Sequence, residues 1–313
     1  MISKKVIISG SIVYDRIMDF PGFFKEHILA DQVHILNVSF TLDNVRESFG
    51  GTAGNIAYNL SLLKTPTQVL GVVGDDFTSY SHWLKAKNVD ISKVKKISGR
   101  NTASAYIITD KADNQISAFY PGPLGSSYCR IAKNINNIAI AIVSPELKTR
   151  MLEYVKIYKS RKIPYIFDPG QQLTSFTSAE LKFMIGGARL VIGNDYEIKL
   201  ILKKLKLTQD KLNKLADIVV VTRGAKGSII YNAGKKINIP AVKVTKVIDP
   251  TGAGDAYRAG LVKGLIEGWP LAKAGRVAAL VATYTVEKAG TQTHKFTYKE
   301  IQNRYYKHFK EKL

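Results

Sequence analysis

Short β-branched runs alternate with amphipathic stretches along most of this chain, and that alternation restricts its fold more than any other feature. Runs at 6–8 (VII), 69–73 (VLGVV), 138–143 (IAIAIV), 165–167 (YIF), 190–192 (LVI), 218–221 (IVVV) and 228–231 (SIIY) read as strands. Most carry apolar residues at consecutive positions, so both faces of each strand need cover. Between runs, stretches such as 151–159 and 271–286 repeat their apolar residues at helical spacing. Such alternation builds an α/β fold with a mostly parallel central sheet and helices on both faces. Two segments, 12–48 and 100–120, break the pattern, because their strand-like runs, for instance 103–109 and 115–120, have no helix between them. A small separate β-sheet is expected there. The large unit then comprises 1–11, 49–99 and 121–313.

With 313 residues, 45% of them hydrophobic, the chain can bury a sizeable core. No apolar run approaches the ~18 to 20 residues of a membrane span, and MISKKVIISG runs straight into a strand rather than a signal-peptide core. Cys129 is the only cysteine. That excludes an internal disulfide and a Cys-based zinc site, and suits the reducing cytoplasm. The charge raises a competing class: 46 Lys+Arg against 25 Asp+Glu, net +21, attracts nucleic acid or an anionic surface without any specific site. These cations are scattered over Lys-rich helical faces such as 199–214 and 305–312, interleaved with Leu and Ile, with no RRM, zinc-finger or dsRBD pattern. Neither a specific nucleic-acid partner nor a membrane is expected. The oligomeric state stays open, a homodimer included.

The segment DPTGAGDAYRAGL at 249–261 carries the chemistry. A strand is expected to end at Val247 and Ile248. Gly252 and Gly254 let the backbone turn tightly, so that amide N–H groups converge on one point, and a helix starting near Asp255 adds its positive end. That point attracts anions. A carboxylate beside it opposes anion binding, unless it takes a proton from a hydroxyl attacking a phosphate. The alternative is a plain strand-to-helix turn with Asp255 as N-cap. Other familiar sites are absent. GAKGS at 224–228 has the wrong spacing for a P-loop, and the chain has no G-x-G-x-x-G after its first strand, no G-x-S-x-G and no H-E-x-x-H.

The 249–261 segment resembles the second signature of the ribokinase-like (PfkB) family of sugar and nucleoside kinases, in which the matching aspartate is the catalytic base. Pro250 stands where Thr is frequent and Tyr257 where Phe is frequent. GGTAGNIAYNLSLL at 50–63 resembles the family's N-terminal signature. GSIVYDRIMDFPG at 10–22, AFYPG at 118–122, DPGQQL at 168–173, GNDYE at 193–197 and AGTQ at 289–292 resemble the bacterial adenosine-kinase branch, so the likeness spans nearly the full chain.

The resemblance implies roles residue by residue. Asp255 is the base, and Gly252, Ala253 and Gly254, with the Asp255 amide, form the anion hole. Asp15 clamps the ribose diol, with Ser11, Gly51 and Asn55 beside it; read alone, Asp15 is a carboxylate after the first strand or a turn residue. Phe119 stacks on a purine, although an aromatic in a strand is more often core. Gln171 and Gln172 read the base edge or are simply polar loop residues. Asn194 and Glu197 match an N-x-x-E element that organises Mg²⁺ and phosphate, Glu197 acting partly through water; as a plain pair they form a capping box. Thr222, Gly224 and Gly227 in TRGAKG hold ATP phosphates together with Asn194, Gly252 and Gly254. Asp249 and Thr251, with carbonyls near Ala289 and Gly290, resemble the K⁺ loop of some relatives.

The expected activity is transfer of the γ-phosphoryl group of ATP, with Mg²⁺, to the 5′-hydroxyl of a nucleoside, adenosine first, in purine salvage. The small sheet would be a lid over the substrate. A ribokinase-like kinase acting on ribose or another free sugar is the alternative within the class. A catalytically idle nucleic-acid or ligand-binding relative is the alternative outside it.

Overall fold

The apolar runs that need cover on both faces receive it in a computed structural model of the chain, which describes residues 4–28, 37–112, 114–126, 137–244 and 246–313. Residues 29–36 of the 12–48 segment and Cys129 lie outside the described residues. Strand β1 (Lys5–Ser9) leads into β2 (Val13–Asp19) and β3 (Asn44–Gly50), then α1 (Thr52–Leu62), β4 (Thr67–Val73), α2 (Thr78–Ala86) and β5 (Val89–Lys96). Next come β6 (Ser104–Thr109), β7 (Gln115–Tyr120), β8 (Ile138–Val143), α3 (Lys148–Ser160), β9 (Tyr165–Phe167), α4 (Ser178–Ile185), β10 (Leu190–Asn194) and α5 (Asp195–Leu205). The chain continues with α6 (Gln209–Leu212), β11 (Ile218–Thr222), β12 (Ser228–Asn232), β13 (Lys235–Ile239), α7 (Ala253–Ile266), α8 (Leu271–Val286) and α9 (Tyr298–Phe309).

Nine strands form the large sheet in the order β13-β12-β11-β10-β9-β8-β1-β4-β5, all parallel except the antiparallel pairs β11–β12 and β12–β13. Successive side chains on a strand point to opposite faces, and the core divides accordingly. Ile8, Ile142, Ile192 and Val220 pack with α1, α7 and α8 on one face. Ile7, Val143, Val191 and Val219 pack with α3, α4 and α5 on the other. Fully burying each such side chain contributes about 1.5–3 kcal/mol. A second, four-stranded sheet has the order β3-β2-β6-β7. Its strands come from the two helix-free segments, with β3 running on to Gly50.

Two strands escaped the sequence pattern for identifiable reasons. β5 (VDISKVKK) carries lysines because it is the edge strand, paired only with β4, where charge discourages association. β13 (KKINI) is likewise polar, and it follows a two-residue turn in which Ala233 (φ 46°) and Gly234 (φ 76°) both take positive φ, as a tight hairpin requires. Conversely, no strand ends at Val247 and Ile248. Both are exposed, in irregular chain after β13, and the Ile248 and Asp249 amides donate to the Val286 carbonyl at the end of α8. Apolar β-branched side chains there were a false strand signal. Among the described residues, no helix is long and apolar enough to cross a membrane.

Candidate active site

The loop before α7 is closed by its own carboxylate. Asp249 accepts from the Thr251 amide through Oδ1 (2.8 Å) and from the Gly290 amide through Oδ2 (2.9 Å), which ties the GAGD loop to the AGTQ loop. Burial pushes the Asp249 carboxyl up, but the Thr251 side chain, these two amides and the Arg46 charge outweigh it and hold the carboxyl low. The Ala289 and Gly290 carbonyls accept from the Thr293 hydroxyl. The Asp249 carboxylate oxygens and the Ala289 and Gly290 carbonyls of the expected K⁺ loop thus each lie within reach of a protein donor.

Gly252 is the N-cap of α7 at φ 77°, a left-handed conformation that side chains rarely adopt. Asp255 thus sits at the third helical position and is not the N-cap. The Ala253 amide donates to the Pro250 carbonyl at 3.2 Å. Gly254 and Asp255 find no acceptor for their amides among the described residues, which leaves the positive end of α7 open to an anion. A Cβ at Gly254 would lie 2.7 Å from Arg258 Nη1. A side chain there would displace that guanidinium from its place beside Asp255.

Asp255 is half-buried and held from two sides. Asn55 of α1 donates through Nδ2 to Asp255 Oδ2 (2.9 Å). Arg258, one turn along α7, pairs with Asp168 at the end of β9 through Nη2 (2.8 Å) and Nε (2.5 Å). Burial pushes the Asp255 carboxyl up to about 6; Arg258 and Asn55 pull it down, while Asp168 and Asp15 add to the rise. Burial opposes the Arg258 charge, but Asp168, Asp255 and Glu197 outweigh it and raise its pKa. Sequence reading missed Arg258 and Asp168. The signal was present: an arginine three residues after Asp255 shares its helix face, on a helix start otherwise made of small and apolar residues.

Beside Asp255 lies a cavity of about 380 Å³ lined by Ser11, Asp15, Gly51, Asn55, Phe119, Gln171, Gln172, Thr251 and Gly252, with Glu146 and Leu124 among its further walls. The structure thus brings together every residue expected on the substrate side. Asp15 belongs to β2 of the small sheet, not to a turn after β1. No hydrogen bond reaches its carboxylate among the described residues. Burial, and then the Asp249 charge, raise it to about 6. Phe119, on β7, is 58% exposed, which removes the core reading of this aromatic. The Ser11 hydroxyl accepts from the Thr52 amide (3.1 Å) at the start of α1. Gln172 Oε1 accepts from Ser175 (3.1 Å), whereas the Gln171 side chain has no such tether among the described residues.

Of the residues expected to hold ATP phosphates, Gly252 lines this cavity whereas Asn194, Thr222, Gly224 and Gly227 do not; Asn194 and Thr222 are register partners at the carboxyl ends of β10 and β11, where ligands of open α/β sheets collect. Asn194 and Glu197 form the capping box: the Glu197 amide donates to Asn194 Oδ1 (2.8 Å), and the Asn194 amide to Glu197 Oε2 (2.7 Å). No hydrogen bond reaches Glu197 Oε1 among the described residues. Burial and the Asp168 charge raise the Glu197 carboxyl against the pull of Asn194 and Arg258. Gly224 (φ 55°) and Gly227 (φ 75°) bend the loop after β11, where the Arg223 amide donates to the Gly227 carbonyl at 2.8 Å. Among the described residues, no group of three or more His, Cys, Asp or Glu is placed to hold a metal alone. The free Glu197 oxygen fits Mg²⁺ that arrives with phosphate and keeps most of its water.

Comparison with known proteins identifies the family. The model of the pfkB family of carbohydrate kinases matches residues 4–297. A nucleoside kinase of Methanocaldococcus jannaschii is 34% identical over 276 residues, which cover 87% of this chain and 90% of the relative. The structure of Burkholderia thailandensis nucleoside kinase in complex with inosine superposes with a TM-score of 0.89 at 36% identity, covering 98% of this chain and 100% of that one. Its complex with ADP-inosine gives 0.86 at 39% identity, covering 98% and 97%.

Proposed function

The chain belongs to the pfkB family of carbohydrate kinases, and from that premise we propose that it transfers the γ-phosphoryl group of ATP to the 5′-hydroxyl of a purine nucleoside. One observation carries this reading: Asp255 lines one cavity with Asp15 and Phe119, and at its own helix start the amides of Gly254 and Asp255 have no acceptor among the described residues. The cavity volume, about 380 Å³, falls in the roughly 300–1,000 Å³ range of small-molecule sites. A nucleoside needs a clamp for its ribose and a flat wall for its base. Asp15 supplies the first and Phe119 the second, with Gln171 and Gln172 at the base edge.

In the reaction, Asp255 takes the proton of the 5′-hydroxyl as that oxygen bonds to the γ-phosphorus and the bond to ADP breaks. A carboxyl at about 6 is ionised at neutral pH yet basic enough to accept. The Gly254 and Asp255 amides receive the charge on the transferring group, and Arg258 keeps Asp255 ionised beside it. Thr222, Gly224 and Gly227 cradle the ATP phosphates, and Asn194 with Glu197 would hold Mg²⁺, which neutralises phosphate charge. The small sheet acts as a cover that excludes water from ATP. The setting assigned is the cytoplasm.

Adenosine is the acceptor placed first. Inosine is the second reading, favoured by the likeness to an inosine-bound kinase. Measuring kcat/KM for adenosine, inosine, ribose and fructose tests the proposal: a nucleoside should lead by orders of magnitude. Preference for a free sugar would overturn the nucleoside reading, and no ATP-dependent turnover of any acceptor would overturn the kinase reading.

A further inference from the structure

A line of hydrogen bonds runs from the helix that flanks the small sheet to the proposed base. Trp83 of α2 donates its indole N–H to Gln292 Oε1 (3.0 Å). Gln292 Nε2 donates to Asn55 Oδ1 (3.1 Å) and to the Tyr80 hydroxyl (2.6 Å). Asn55 Nδ2 then donates to Asp255 Oδ2 (2.9 Å). Asn55 and Gln292 are each 4% exposed and Tyr80 is fully buried, so water cannot stand in for a missing partner and each bond counts for more than it would in solvent.

The direction of the whole line follows from donor and acceptor chemistry. An indole N–H only donates, so the Gln292 oxygen must face Trp83 and its NH₂ must face inward. The Tyr80 hydroxyl gives its proton to the Gly50 carbonyl (2.8 Å), so toward Gln292 it offers a lone pair. Both Gln292 hydrogens are thereby assigned. Asn55 must in turn present its oxygen to Gln292 and its NH₂ to Asp255. A reversed Asn55 would set its carbonyl oxygen against a carboxylate oxygen and its NH₂ against that of Gln292, two repulsive contacts in a buried place.

We propose that Trp83 and Gln292 are positioning residues of the kinase reaction: they fix the orientation of Asn55 so that a donor, and not an acceptor, faces Asp255. Neither lines the substrate cavity, and both act through Asn55. Trp83 is held for the task by stacking on Tyr58 at 5.9 Å with rings 14° apart. The inference rests on Asp255 being the base.

The test reads the acid limb of kcat/KM, because a donor withdrawn from Asp255 makes the carboxyl harder to ionise. Its other charged neighbours, Arg258, Asp168 and Asp15, remain unchanged in the variants. Gln292→Met removes the link, and Trp83→Phe keeps the stacking ring but removes the N–H. The midpoint of the limb should move up by about half a pH unit or more in Gln292→Met and in the same direction, by less, in Trp83→Phe. Turnover above the limb should fall about tenfold or more in Gln292→Met as Asn55 and Asp255 lose their alignment. A midpoint unmoved in both variants, with only the melting temperature lowered, would overturn the proposal while leaving the base in place. Should Gln292→Met not fold, the limb of Trp83→Phe decides alone. An Asp255→Asn enzyme with near wild-type turnover would overturn the base reading itself, and the orientation proposal with it.

Discussion

Arg258 reaches Asp168 across 90 residues of sequence, with Nη2 2.8 Å from Oδ1, and this buried pair stands one helical turn from Asp255. Asp168 is 1% exposed. Arg258, the cation that pulls the Asp255 carboxyl down, is therefore itself held by a second carboxylate, and the three groups interact as one electrostatic unit.

Replacing Arg258 should damage stability and catalysis together. Arg258→Met leaves Asp168 buried without its partner, and breaking such a pair costs about 3–5 kcal/mol. The same change removes the charge that holds Asp255 down, so the acid limb of kcat/KM should shift upward. Urea unfolding and a pH–rate profile measure the two effects. An unchanged limb in a folded variant would show that Arg258 serves the fold alone.

Asp255→Asn should separate activity from stability. Turnover should fall by ~10²-fold or more with little change in ATP affinity. The folded-state pKa of about 6 lies above the ordinary 3.8, so the proton is bound more tightly in the folded chain. Stability is greatest below the unfolded value and declines as pH rises through the window from about 4 to 6. At pH 7.5 the asparagine variant, free of that penalty, should be more stable than wild type by about 1 kcal/mol or more. The gap should close below pH 4. Unfolding curves at pH 7.5 and pH 4 test the sign.

Two raised carboxyls should give the pH profile an uncommon steepness. Asp15 and Asp255 are both pushed up to about 6, each by burial first, and both are needed ionised, one to clamp hydroxyls and one to accept a proton. Below the limb, log kcat/KM should fall with a slope approaching about two per pH unit. In Asp15→Asn the slope should return to about one, on a lower plateau. A slope of one in the wild type would mean that only one of the pair matters.

Phe119 separates nucleoside from sugar. Base–aromatic stacking contributes ~1–3 kcal/mol, so Phe119→Ala should raise the KM for adenosine about tenfold to a hundredfold. Any activity on ribose should be nearly unchanged. Because the ring is 58% exposed, the melting temperature should barely move. Equal losses for both acceptors would make Phe119 a structural residue.

Local chemistry determined what could be read along the chain. Apolar runs such as 138–143 had to be covered on both faces, and that run forms β8. Gly252, at φ 77°, could be anticipated because few other residues adopt that conformation. Asn194 and Glu197 carried both a phosphate reading and a capping-box reading at three-residue spacing; the box is formed. Tertiary structure decided whatever depends on partners far away in sequence. The polar β5 is a strand because β4 offers it an edge, whereas the apolar Val247 and Ile248 meet no such edge. Asp15 lies on the small sheet because β2 pairs with β3 and β6. The Arg258–Asp168 pair and the line from Trp83 through Gln292 and Asn55 to Asp255 join residues 90, 209, 237 and 200 positions apart. Hydrogen-bond direction and charge compensation are properties of such contacts, and no local pattern of residues encodes them.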